Sequence, residues 1–228
     1  MQLVFVHGSG GNHAVWHYQT QAFPGADAVD LPGHSAGALL SSIEAYADWL
    51  LSHLDQRGYN EVVVVGHSIG GAIGMQCALR HPGRLAGLIP IGSGARLRVL
   101  PQTIESLERA VDEPDQLASM LRYSFERVDR ALRDSLIREG LRVGAAAFVS
   151  DLRACDRFDV VDRISEVEAP TLAICGTDDT MTPPRYSQFL ADRIPGAAVE
   201  ILEGGTHFVF LEQPDAVNRA IRRFVDSL

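Results

Sequence analysis

Val62-Val63-Val64-Val65-Gly66-His67-Ser68-Ile69-Gly70-Gly71 is the stretch that decides how this 228-residue chain folds. Four β-branched residues predict a strand with both faces buried. The strand runs directly into Gly-x-Ser-x-Gly, and a helix-compatible stretch follows from Gly71 to Arg80. A serine on so sharp a strand-to-helix turn takes up a strained backbone, and side chains at the flanking glycines would crowd the turn. The strain presents the hydroxyl above the sheet, and the helix start offers free N–H groups to a developing oxyanion. The arrangement is that of a nucleophile elbow, with Ser68 as the candidate nucleophile.

Short apolar runs on either side alternate with helical patterns, which predicts a mostly parallel sheet with helices on both faces. Candidate strands are Leu3–Val6, Ala26–Asp30, Glu61–Val65, Leu85–Ile91, Thr171–Cys175 and Ala198–Leu202. Ile43, Ala47, Leu50, Leu51 and Leu54 recur at helical spacing, as do Val217, Ala220, Ile221, Phe224, Val225 and Leu228. Residues 96–159 break the alternation: they are charge-rich and helical in period, with no strand candidate. They read as a helical cap inserted after the fourth strand of a core made of residues 1–95 and 160–228.

Composition narrows the function classes. A net charge of −9 argues against nucleic acid or an anionic membrane surface as partner. All 20 basic residues are arginine, which excludes Schiff-base chemistry and a P-loop lysine. In the cap region the arginines interleave with Asp and Glu and read as a solvated face. The three cysteines, Cys77, Cys155 and Cys175, form no C-x-x-C and cannot all pair within the chain, so a reducing, cytoplasmic setting is expected. The first residues, Met1 to Val6, read as a strand candidate, so neither secretion nor membrane spanning is expected. No metal-ligand spacing occurs among the histidines, and no cofactor is expected.

A serine nucleophile needs a base and an acid to orient that base. Of eight histidines, His207 in Gly204-Gly205-Thr206-His207-Phe208 follows the last strand candidate, and the order Ser…Asp…His selects it. His7 and His34 lie in turns, and His67 should point away from Ser68. His13, His17, His53 and His81 fall on helices or helix ends without an acid partner. Asp178 and Asp179 compete for the acid; Asp179 fits the Gly-x-x-Asp-x-x-x-Pro spacing of Gly176, Asp179 and Pro183, leaving Asp178 as a solvated turn residue. The oxyanion donors should be the Ile69 N–H and, in the loop His7-Gly8-Ser9-Gly10-Gly11, the Ser9 N–H, with Gly10 second. Candidate substrate-pocket residues are Gly10, Trp16, Leu97, Phe125, Phe148, Phe158 and Phe208.

Taken together, the loop at His7–Gly11, the turn Asp30-Leu31-Pro32-Gly33-His34-Ser35, the elbow at Gly66–Gly71, the acid loop Gly176–Pro183 and the histidine loop Gly204–Phe208 resemble the α/β-hydrolase superfamily. Its small-esterase, haloperoxidase-like and C–C-hydrolase branch is the nearest in motif. The chain lacks the strand hairpin that usually precedes the oxyanion loop in that family, so the resemblance implies about six strands rather than eight. It also implies a serine hydrolase of small-molecule carboxylic esters working through an acyl-enzyme. A C–C bond hydrolase or a lactonase would use the same triad. A hydrolase-fold receptor that binds without turnover would show an eroded triad, and every position is filled. A serine at the elbow disfavours the dehalogenases and epoxide hydrolases of the family, where an aspartate is demanded.

Overall fold

A computed structural model describes residues 1–228. Six strands, β1 (Gln2–Val6), β2 (Asp27–Val29), β3 (Val62–His67), β4 (Gly87–Ile91), β5 (Leu172–Gly176) and β6 (Ala198–Leu202), pair in the order β2-β1-β3-β4-β5-β6. Every pairing is parallel. Parallel neighbours require crossovers, and the chain supplies helices for them. Among these are α1 (His17–Ala22), α2 (Ile43–Gln56), α3 (Ile69–Arg80) and α8 (Pro184–Arg193), while α9 (Val209–Glu212) and α10 (Pro214–Val225) follow the last strand. Pro184 and Pro214 open their helices, where the missing N–H costs no hydrogen bond.

The valine run shows why the sheet is covered twice. Val62 and Val64 belong to one apolar cluster, with Ile43, Leu50 and Ile73. Val63 and Val65 belong to a second, with Trp16, Phe210 and Ile221. Alternate side chains of one strand thus enter opposite layers, as the two-residue period requires. Both layers are dry at β3, whose four valines are fully buried.

Four helices lie between β4 and β5: α4 (Pro101–Arg109), α5 (Pro114–Ser124), α6 (Arg130–Val143) and α7 (Ala145–Arg157). Arg96 and Asp159 bridge antiparallel at the neck of this insertion and form an ion pair at 2.7 Å. Asp129 caps α6 by accepting from the Ala131 and Leu132 N–H groups, and Gly144 at φ +88° turns the chain into α7. No helix is long and apolar enough to cross a membrane.

The strand order places the site. β1 sends its connection outward to β2, and the chain returns to β3 on the other side of β1. In an open parallel sheet, ligands bind beyond the carboxyl ends of strands at such a switch point. The residues just beyond β1 and β3 are the His7–Gly11 loop and Ser68.

Candidate active site

Ser68 sits between β3 and α3 at φ 52°, ψ −115° and is the only non-glycine residue with positive φ. Such a conformation costs about 1–3 kcal/mol and persists only where the surroundings dictate it. They do so closely: a Cβ on Gly66 would overlap the Gly70 backbone, and one on Gly70 would overlap the Val6 carbonyl. The turn is pinned at both ends, by Ser68 N–H to the Ile91 carbonyl (2.9 Å) and by the Ser93 hydroxyl to the Ser68 carbonyl (2.8 Å).

His207 and Asp179, from the loops after β6 and β5, meet with Nδ1 2.9 Å from Oδ2. The Asp179 carboxylate is saturated. Oδ1 accepts from the Met181 and Thr182 N–H groups, both at 2.9 Å, and Oδ2 also accepts from the Thr182 hydroxyl at 2.8 Å. Burial alone would raise its pKa. The hydrogen bond and charge of His207, with the Thr182 donors, outweigh that and hold the carboxyl below its ordinary value. An ionised Asp179 on Nδ1 leaves Nε2 as the nitrogen that can exchange a proton at the cavity. Asp178 points elsewhere, into a half-exposed ion pair with Arg127 at 3.2 Å.

His67 does more than face away from Ser68. Its Nε2 lies 3.0 Å from the His207 carbonyl, and its ring lies 4.7 Å from that of His207. Burial first, then the charge of His207, push its pKa well down, so it stays neutral and donates to that carbonyl.

The His7–Gly11 loop has a specific hydrogen-bond pattern. Gly11 N–H donates to the Gly8 carbonyl at 3.1 Å, and Gly10 N–H donates to Asp151 Oδ2 at 2.9 Å. Gly10 is therefore not a free donor, contrary to its place as the second candidate. Ser9 N–H has no acceptor within the chain, nor does Ile69 N–H in the open first turn of α3.

Ser68 and His207 line one cavity of about 390 Å³, walled by Leu97, Leu107, Met120, Leu121, Phe148 and Leu152. That is within the size range of small-molecule pockets, and its walls are mostly apolar. A second hollow of about 30 Å³ lies against Gly8 to Asn12, with Phe125, Phe148 and Phe208 around it. Two of the expected wall residues are not there. Trp16 is fully buried between Phe5 and Phe210, at ring distances of 5.0 and 4.6 Å, and Phe158 is buried in the opposite layer. Both rings pack into the core, although the buried Trp16 indole N–H finds no acceptor there.

Two histidines expected to lack an acid partner have one: His13 meets Asp30 at 2.8 Å and His53 meets Asp27 at 2.9 Å. Sequence reading also missed Asp151, a fully buried carboxylate on α7 that accepts from His34 Nε2 (2.8 Å), the Tyr46 hydroxyl (2.8 Å) and Gly10. Its signal was an acid on the apolar stripe of a helix, in line with Ala147 and Ala154.

His7 lies behind the same loop. Burial, then the charge of His34, push its pKa down to about 4, and its ring bridges the Gly8 carbonyl (2.9 Å) and the Leu31 N–H (3.0 Å) as a neutral imidazole. The folded protein therefore takes up His7's proton less readily than the unfolded chain, so stability falls as pH drops from about 6.5 towards about 4. His7 contributes about 2 kcal/mol of that fall between pH 7 and pH 5. The pKa of His34 is raised, because Asp151 outweighs its burial; its contribution has the opposite sign and is lost only as pH rises through that raised value. Urea unfolding at the two pH values should give His7→Gln a shallower dependence than wild type. Equal dependences would contradict a neutral buried His7.

An open parallel sheet with a strained serine at its switch point and a buried Asp–His pair beside it defines the α/β class of hydrolase-like folds. The chain belongs to the alpha/beta hydrolase family, whose sequence profile matches residues 3–220. It is similar to the pimeloyl-[acyl-carrier protein] methyl ester esterase of Neisseria meningitidis serogroup A, with 26% identity over all of this chain and 77% of that one. A thermophilic esterase of known structure superposes with a TM-score of 0.84 at 31% identity, covering 99% of this chain and 89% of the other. An N-acyl homoserine lactone degrading enzyme superposes at 0.79 with 27% identity, covering 98% and 93%.

Proposed function

We propose that this protein is a serine hydrolase that cleaves carboxylic esters of small molecules through an acyl-enzyme. The observation that carries the reading is that one apolar cavity is lined both by the strained Ser68 and by His207, whose other ring nitrogen is held by an ionised Asp179. His207 Nε2 takes the Ser68 proton as the hydroxyl oxygen attacks the acyl carbon. The Ile69 and Ser9 N–H groups receive the oxyanion, and Asp179 stabilises the imidazolium. The proton then passes to the leaving alcohol. Water, deprotonated by the same imidazole, attacks the acyl-serine, and the acid departs. Residues 96–159 act as the cap and supply most of the apolar wall, so the acyl portion of the substrate is expected to be apolar.

The same steps open a lactone, which is an internal ester whose alcohol stays attached to the acid. The likeness to a homoserine-lactone-degrading enzyme supports including that substrate class. The three buried free thiols support a reducing compartment.

Hydrolysis of p-nitrophenyl esters of graded acyl length, alongside acyl homoserine lactones, tests the proposal. Turnover that His207→Ala abolishes is expected. Tight binding of these compounds with no turnover of any would overturn it in favour of a ligand receptor.

A further inference from the structure

We infer that Asp151 is a positioning residue for the oxyanion hole: from the inserted helix α7 it holds the Gly10 peptide so that Ser9 N–H is the loop donor left open. The inference rests on the hydrolase reading above and adds to it a part of the insertion that touches the reaction machinery rather than the substrate.

A carboxylate wholly withdrawn from water is costly unless it is paired and hydrogen-bonded. Asp151 meets that requirement with three donors drawn from three separate segments: His34 in the turn after β2, Tyr46 in α2 and the Gly10 backbone. His34 is as buried as its partner, with both side chains at 0% exposure. A purely structural ion pair between insertion and core needs His34 and Tyr46 only. The third donor is the backbone of the loop that must present an N–H to the oxyanion.

The glycines give that loop the freedom to aim either of two successive peptides at the site. Gly10 stands at φ +64°, a conformation open to glycine but not to most residues, and its N–H is turned away towards Oδ2. A bond to a charged acceptor is stronger than one between neutral groups, so this peptide is held firmly. With Gly10 fixed, Ser9 N–H remains free.

The rest of the helix face repeats the contact. Phe148, Asp151 and Cys155 stand three and four residues apart and therefore share one side of α7. The Phe148 ring lies so close over Gly10 that an added Cβ would overlap it. Cys155 Sγ lies 3.8 Å from Ser9 Oγ. One helix face thus grips two consecutive residues of the oxyanion loop, and Asp151 provides the directional bond.

Asp151→Ala removes Oδ2, which accepts from both His34 and Gly10, and Oδ1, which accepts from Tyr46, so the Gly10 N–H loses its acceptor outright. In the intact protein this variant is expected to lower kcat on p-nitrophenyl butyrate about 10- to 100-fold, with KM within about threefold of wild type. Affinity for a trifluoromethyl ketone, which forms a tetrahedral adduct and reads the oxyanion hole, should fall in step, while affinity for butyrate should not. An unchanged kcat in the folded variant, or a loss confined to KM or to thermal stability, overturns the inference. Should Asp151→Ala fail to fold, Asp151→Asn keeps the volume and, with its amide oxygen in the Oδ2 position, offers Gly10 only a neutral and weaker acceptor. A severalfold lower kcat at unchanged KM supports the inference, and an unchanged kcat overturns it. Wild-type protein without turnover, or Ser68→Ala as active as wild type, defeats the hydrolase reading instead.

Discussion

Ser68→Ala is expected to lower kcat for ester hydrolysis by about 10⁵-fold or more, with little effect on ligand binding. On the mechanism proposed above, Ser68, His207 and Asp179 act as a unit, so without the hydroxyl His207 and Asp179 have no nucleophile to activate. Fold is not expected to suffer. The Ser68 backbone is held by Ile91 and Ser93, neither of which touches the hydroxyl. Alanine keeps the positive φ and its strain; Ser68→Gly relieves it and should raise unfolding stability by about 1 kcal/mol or more, with activity equally lost. Steady-state kinetics and urea unfolding of the two variants separate these effects. Appreciable turnover by Ser68→Ala would mean that another residue attacks the ester.

The second large effect distinguishes two adjacent aspartates. Asp179→Asn is expected to reduce kcat by about 10⁴-fold, because an amide donating to Nδ1 places the imidazole proton on Nε2, where it cannot accept from Ser68. The four N–H and O–H hydrogen bonds now converging on the carboxylate would also lose their charged acceptor. Asp178→Asn should stay within about threefold of wild type, since it alters only exposed contacts, a surface pair with Arg127 and a hydrogen bond from the Thr177 hydroxyl, and such contacts contribute little. Equal losses in both variants, or a larger loss at Asp178, would reassign the acid.

The elbow, the strand that feeds it and the Asp179–His207 pair were legible because their signals are local. Four valines before a glycine identify a buried strand wherever it packs, and the glycines around Ser68 follow from a turn that admits no Cβ at Gly66 or Gly70. The alternation of short apolar runs with helical patterns likewise gave six strand candidates, and six strands are present. What was not legible depends on distant partners. Trp16 follows the His7–Gly11 loop by only a few residues, yet its ring turns into the layer beneath the sheet because Phe5 and Phe210 complete a slot there. Asp151 sits 141 residues from Gly10 in sequence, and no spacing rule joins a helix in the insertion to a loop at the start of the chain. The His13–Asp30 and His53–Asp27 pairs bring helices onto β2 and the turn after it, and only the packing of those helices makes the carboxylates their neighbours.

Covalent labelling with a fluorophosphonate, followed by peptide mass mapping, is the most direct test that Ser68, His207 and Asp179 work as one site. A single adduct on the peptide containing Ser68 is predicted, absent in Ser68→Ala and formed far more slowly in His207→Ala. An adduct on another residue, or labelling of Ser68→Ala at the wild-type rate, would contradict it.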